Sequence, residues 1–217
     1  MLNKDYMMRL IEIMTRALSR ISLLVEEKKY LDSLSVVTEA GKMMTGLDFN
    51  MLDYLSDTEL LNMIKSKDGL YKGKFLVLGE LLAKEGELHL LNQDSTKSYN
   101  SYIKSISFYI DGIDENDSIV LNDYIPGIEN VITALTGYEL PVHIKQKLIR
   151  YYDISGQYSN ADNIIFEIIK DGGKDVQKQA SEFYNTLLNK SDEELNKGNF
   201  SKEEAEESLL ELKNFAH

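Results

Sequence analysis

Residues 148–169, LIRYYDISGQYSNADNIIFEII, consist of two amphipathic segments separated by Gly156. Leu148 and Tyr152 are four residues apart in the first segment, a spacing that places both side chains on one face of a helix. Glycine readily adopts the left-handed backbone conformation at which many helices end, so Gly156 is predicted to end the first helix. The second segment begins near Tyr158 with the same period. The stretch therefore predicts a hairpin of two short antiparallel helices.

Helical periodicity extends along most of the 217 residues. Gly46 follows one apolar series as the expected C-cap, and Pro126 and Pro141 suit the first turns of two further helices. The capping-box pattern, serine followed three positions later by glutamate, occurs at 56–59, 191–194 and 201–204. Together these features predict helices near 3–27, 30–45, 70–91, 95–110, 127–136, 141–155, 159–171, 174–190 and 201–215.

Strand-like composition is confined to residues 117–125, DSIVLNDYI. A single isolated strand has no partner for its backbone hydrogen bonds, so this segment is predicted to be an irregular linker or a short helix. The sequence thus predicts an all-α protein. We expect one domain over residues 1–217, with its weakest seam at 111–123.

The chain is acidic, with 36 Asp and Glu against 24 Lys and Arg and a formal net charge of -12. The excess is uneven, because residues 1–108 contain 14 basic and 15 acidic residues whereas residues 109–217 contain 10 and 21. A surface of this sign repels phosphate backbones and anionic lipid headgroups. Nucleic acid and membrane surfaces are therefore not expected as partners.

Cysteine is absent from the sequence, which excludes disulfides, thiolate metal sites and cysteine nucleophiles from these residues. Charged residues interrupt the apolar residues of the first 18 positions, unlike the continuous apolar core of a secretory signal. No run approaches the roughly 20 apolar residues that span a bilayer. We therefore expect a cytoplasmic protein.

A spacing like that around Gly156 recurs in residues 75–91, FLVLGELLAKEGELHLL, where Gly86 lies eight residues after Leu78. Gly86 and Gly156 are 70 residues apart, close to twice the period of about 34 residues in tetratricopeptide repeats (TPRs). The second segment resembles this repeat at Leu148, Tyr152, Gly156, Tyr158 and Ala161, while Ile149 replaces the small residue of the signature. The first segment keeps the Leu-Gly pair and the turn glycine but has Leu82 in place of an aromatic residue.

The resemblance implies antiparallel helix hairpins stacked as a TPR-like right-handed superhelix, with Gly86 and Gly156 each ending the first helix of a hairpin. Residues 5–11, DYMMRLI, also resemble the beginning of an uncharacterised bacterial family of TPR-like architecture. That family implies no known activity, so the resemblance assigns no catalytic residue.

Motifs for catalysis, phosphate binding or metal binding are not found in the sequence. Glu85 and His89 are four residues apart on a predicted helix and could reach one metal ion, although a single such pair arises readily by chance. We therefore predict no catalytic residues, no metal and no cofactor. The alternative is a small-molecule or metal-dependent enzyme whose acids and His89 converge only in three dimensions.

The predicted helix at 141–155 has a polar side formed by His143, Gln146, Arg150 and Asp153, opposite its packed side. In a TPR-like hairpin the first helix lines the inner curve, so this side would face a groove. Arg150 is the only arginine after residue 20, and its guanidinium could bind a carboxylate with two hydrogen bonds. An ordinary polar surface is the other interpretation. The predicted function is a non-enzymatic scaffold that binds a protein or peptide, with self-association left open.

Overall fold

The computed structural model describes residues 2–46, 49, 55, 57–64, 71–113, 118–173 and 176–215. Within these residues all regular structure is helical and no strand occurs, which confirms the predicted all-α class. The helices are α1 (Leu2–Glu26), α2 (Tyr30–Thr45), α3 (Asp57–Ile64), α4 (Tyr71–Leu91), α5 (Ser95–Gly112), α6 (Ser118–Ala134), α7 (Val142–Ile154), α8 (Tyr158–Lys170), α9 (Gln177–Leu188), α10 (Asp192–Lys197) and α11 (Lys202–Phe215).

Several helix ends lie where the local sequence predicts them. Gly46 ends α2 in the left-handed conformation, with φ 76°, and Gly156 follows α7 with φ 73°. Ser191 and Glu194 form the predicted capping box at the start of α10, each accepting a hydrogen bond from the backbone N–H of the other. Ser201 accepts a hydrogen bond from the Glu204 backbone at the start of α11, with 3.1 Å between N and Oγ. The predicted capping box at 56–59 begins outside the described residues.

Pro126 lies inside α6, so the prediction that it opens a helix is wrong. The interpretation of 117–125 as a linker or short helix also understates the structure, because residues 118–125 belong to this long helix. Tertiary contacts outweigh the local helix-breaking effect of proline here. One such contact joins the rings of Tyr124 and Tyr109 of α5, whose centroids are 6.1 Å apart.

Gly86 lies within α4 and does not end it, which corrects the second helix-ending assignment. A Cβ atom at Gly86 would lie 2.7 Å from the Tyr102 ring, and one at Gly79 would lie 2.7 Å from the Tyr109 ring. Ser105 of α5 also donates a hydrogen bond to the Gly79 carbonyl at 2.6 Å. The glycines therefore permit α4 and α5 to pack closely, and this requirement depends on residues far away in the sequence.

The chain divides into two compact units, Met1–Tyr138 and Glu139–His217. Buried aliphatic and aromatic side chains form the core of the first unit and include Ile21, Val37, Leu60, Phe75, Leu78, Leu81 and Phe108. Those of the second unit include Ile144, Tyr151, Ala161, Ile165, Tyr184, Leu187 and Leu195. The predicted seam at 111–123 lies within the first unit, and the single-domain organisation of residues 1–217 stays a prediction.

The second unit contains two pairs of packed helices, α7 with α8 and α9 with α11. In the sequence, Gly156 lies between α7 and α8, and the short helix α10 lies between α9 and α11. The two connections touch each other, because the Gly198 carbonyl accepts a hydrogen bond from Ser159 N at 3.3 Å. A Cβ atom at Gly198 would lie 2.3 Å from the Tyr158 ring, so glycine permits this contact.

Candidate functional site

The polar side of α7 carries the four residues that the sequence proposes for ligand binding, here called the α7 stripe: His143, Gln146, Arg150 and Asp153. His143 and Arg150 are exposed, while Gln146 and Asp153 are half-buried. The opposite side of α7 packs into the second unit through buried residues that include Ile144, Leu148, Tyr151 and Tyr152. Packing of this apolar side therefore directs the stripe outward.

Helix α9 lies beside the α7 stripe. The Gln179 side-chain amide donates a hydrogen bond to the backbone carbonyl of Gln146, with 2.8 Å between Nε2 and O. Glu182 and Thr186 follow Gln179 at helical spacing and are exposed. Glu182 also lies 3.8 Å from Lys178 in an exposed ion pair. The hydrogen bond thus links α7 to α9 at one point, and the two helices carry exposed charges of both signs.

Lys145 links α7 to α8, a role that the sequence patterns did not predict. Only 4% of its side chain is exposed, and its Nζ lies 2.8 Å from Glu167 Oε1 and 3.4 Å from Asp171 Oδ2. The hydrogen bond to Glu167 is the largest influence that raises the pKa of Lys145, so the side chain stays cationic. Its position between Ile144 and Leu148 in the helical period could have indicated burial, but the paired acids could not be identified without the fold.

A partly buried polar cluster joins α8, α9 and α11. Asp162 Oδ1 accepts hydrogen bonds from the Tyr184 hydroxyl at 2.7 Å and from Ser208 Oγ at 3.0 Å. Burial raises the pKa of the Asp162 carboxyl, although the two hydrogen bonds act in the opposite direction. Burial also raises the pKa of Tyr184, which therefore remains protonated and donates to the carboxylate. The cluster holds the helices behind the α7 stripe in one arrangement.

The pair considered for metal binding, Glu85 and His89, lies on α4. Glu85 accepts a hydrogen bond from Ser101 of α5, with 2.9 Å between Oε2 and Oγ. Over the described part of the chain, no three or more His, Cys, Asp or Glu side chains are grouped so that they could hold a metal ion. An enzyme active site in which acids converge on His89 stays a prediction.

Comparison with known proteins assigns the chain to a family without assigning an activity. A family model described as "Family of unknown function (DUF6483)" matches residues 1–217, and the chain belongs to this family. Searches of curated proteins and of solved structures gave no match. Among the described helices, none has the length and apolar character required to cross a membrane.

Proposed function

We propose that this DUF6483 protein is a non-enzymatic helical scaffold that binds a protein or peptide, with the α7 stripe as part of the binding surface. The observation that carries the proposal is the hydrogen bond from Gln179 to the Gln146 carbonyl. It links α7 to α9, the first helices of two successive helix pairs, and His143 and Arg150 are exposed. Adjacent first helices with polar outer sides are the elements from which helical-repeat proteins build extended binding surfaces.

A TPR-like arrangement of the helix pairs is part of this proposal. Leu148 and Tyr152 of α7 and Tyr158 and Ala161 of α8 are buried, as the repeat pattern requires of its large and small positions. Ala205 of α11 is buried without any exposed surface, as is Ala161 of α8. Small residues at such positions let the second helix of each pair approach its neighbours closely. We infer that the pairs stack in the right-handed sense of TPRs.

The chemistry of the α7 stripe favours a ligand segment that carries a carboxylate. The Arg150 guanidinium can bind a carboxylate through two parallel hydrogen bonds, and Gln146 can add a neutral hydrogen bond. The chain as a whole carries a net charge of -12, which repels strongly anionic segments. A polypeptide of mixed charge, with one acidic group directed at Arg150, therefore fits this surface better than a polyanion does.

The test compares the native chain with Arg150→Ala and with Arg16→Ala as a matched control. Arg16 has 81% of its side chain exposed on α1 of the other unit, so its removal makes the same charge change elsewhere. Partners captured by the native chain are identified, and the contacting segment is titrated as a synthetic peptide by calorimetry. We expect Arg150→Ala to weaken binding by about 2 kcal/mol, roughly 30-fold, because the peptide carboxylate loses its partner.

A second peptide, with the carboxylate replaced by an amide, completes a double-mutant cycle. The amide peptide should bind the native chain more weakly, by a similar factor, and should bind Arg150→Ala no worse than the acidic peptide does. Equal affinities of the acidic peptide for the native chain, Arg150→Ala and Arg16→Ala would show that the α7 stripe is only a polar surface.

A further inference from the structure

The first unit contains a cleft of about 490 Å³ between α1, α4, α5 and α6. Its polar lining comes mainly from Glu80, Lys84 and Glu87 of α4, Tyr102 and Tyr109 of α5, and Asn130 of α6. Apolar side chains, among them Leu18 and Val131, complete the walls. Volumes of this size are sufficient for a small organic molecule.

Helix α4 lines one side of the cleft. Glu80, Lys84 and Glu87 occupy positions i, i+4 and i+7, so their side chains project from one face of the helix. Gly79 and Gly86, each one residue before a glutamate, leave space for the rings of Tyr109 and Tyr102. The close α4–α5 contact therefore also brings two aromatic rings next to the carboxylates.

The cleft has an excess of one negative charge. Glu87 is neutralised by Lys84, with 2.6 Å between Oε2 and Nζ. Glu80 instead accepts a hydrogen bond from the neutral Tyr109 hydroxyl at 2.5 Å. Burial, followed by the charge of Glu80, raises the pKa of both Tyr109 and Tyr124, which keeps these phenols neutral. Among the described residues that line the cleft, Lys84 is the one cation.

Tyr102 supplies an independent indication that a ligand belongs here. Its side chain is only 9% exposed, its ring packs on Gly86, and it lines the cleft. Within the described residues its hydroxyl makes no hydrogen bond. The hydroxyl oxygen is not one of the fully enclosed polar atoms, so it is accessible from the cleft. A hydrogen-bond donor in the cleft would satisfy the Tyr102 oxygen.

We propose that this cleft binds a small organic ammonium ion, whose N–H groups donate to the Glu80 carboxylate and the Tyr102 hydroxyl oxygen. The positive charge compensates Glu80, and the attached hydrocarbon packs against Leu18 and Val131. A carboxylate or phosphate is repelled by Glu80, and a neutral alcohol leaves the charge of Glu80 uncompensated.

The test titrates the full chain with 2-phenylethylamine, its neutral analogue 2-phenylethanol and its anionic counterpart 3-phenylpropionate. Backbone chemical shifts in two-dimensional NMR report both affinity and location. We expect the amine to bind at least about tenfold more tightly than the alcohol and to shift residues of α4 and α5, since a charge-assisted hydrogen bond is about twice as strong as a neutral one. Binding of the carboxylate in preference to the amine would overturn the proposal.

Three variants test the expected direction of change in amine affinity, and a fourth is a control. Glu80→Gln retains an acceptor for Tyr109 but removes the charge, so amine affinity should fall about tenfold. Tyr102→Phe should reduce affinity by a smaller factor, because it removes one neutral acceptor. Lys84→Gln leaves Glu87 uncompensated and should tighten amine binding. Glu207→Gln, at an exposed position of α11, makes the same charge change as Glu80→Gln in the other unit and should leave affinity unchanged.

Folding of each variant is checked by circular dichroism before titration. Unchanged amine affinity in folded Glu80→Gln, or weaker binding by folded Lys84→Gln, would contradict the proposed charge recognition. This cleft and the α7 stripe belong to different units, so Arg150→Ala should leave amine binding unchanged. Loss of peptide binding and loss of amine binding therefore report separately on the two proposals.

Discussion

The helix pair α4–α5 of the first unit and the pair α7–α8 of the second use glycine in different ways. Gly86 and Gly156 each lie eight residues after a leucine, Leu78 and Leu148. Gly156 ends the segment with φ 73°, whereas Gly86 continues a helix and receives the Tyr102 ring. One glycine provides backbone freedom and the other provides space. The same local spacing therefore occurs at a helix end and inside a helix, and packing against the partner helix determines which of the two forms.

The largest expected effect is at Gly86. In Gly86→Val the added side chain meets the Tyr102 ring, where even a Cβ atom would lie 2.7 Å away. We expect a loss of about 2–3 kcal/mol in the free energy of unfolding, as for other overpacked sites. Urea denaturation followed by circular dichroism measures it. Combining Gly86→Val with Tyr102→Ala should restore part of the loss, and no restoration would show that the α4–α5 contact is not the cause.

A second comparison concerns the two buried tyrosines that donate to carboxylates, Tyr184 to Asp162 and Tyr109 to Glu80. Tyr184→Phe removes one of the two hydrogen-bond donors to Asp162, and we expect it to cost about 1.5–2 kcal/mol, since the bond involves a charged group. Tyr109→Phe should cost less, because Glu80 faces the cleft and regains water. Equal losses in urea denaturation would contradict this difference.

A smaller effect is expected at Gly156. The side chain of Gly156→Ala has open space, since the nearest atom to its Cβ would be the Tyr158 hydroxyl at 3.9 Å. The cost is therefore the backbone strain of a positive φ, about 1 kcal/mol. Gly156→Asn should cost less than Gly156→Ala, because asparagine tolerates this conformation better. Thermal unfolding can rank the two variants, and the reverse order would show that strain is not the source of the loss.

The smallest effect is the pH dependence that Asp162 contributes. Burial raises its folded-state pKa above the reference value of 3.8, so the folded protein holds the proton more firmly than the unfolded chain does. Stability from this group is present below the unfolded pKa and decreases as pH rises through the folded pKa. Asp162→Asn does not titrate, so the native chain should lose stability relative to Asp162→Asn between about pH 4 and neutrality. A constant difference across this range in urea titrations would exclude such a contribution.

Features governed by neighbouring residues could be predicted from the sequence. Apolar periodicity determined the all-α class, because a helix must bury one side whatever its partner is. Gly46, Gly156 and the capping box at Ser191 set helix ends through backbone conformation and hydrogen bonds within a few residues. For the candidate site, periodicity also indicated which residues of α7 share a polar side.

Features that depend on distant residues were decided only by the tertiary structure. Pro126 lies inside α6, which packs on α5. Gly86 receives the Tyr102 ring, and Lys145 is buried against Glu167 of α8 and Asp171 just after it, through contacts that no local pattern specifies. The cleft at Glu80 and Tyr102 likewise requires four helices to meet. Local helix propensities differ by about 1 kcal/mol or less for most residues and by about 3 kcal/mol for proline, so packing between distant segments can decide such cases.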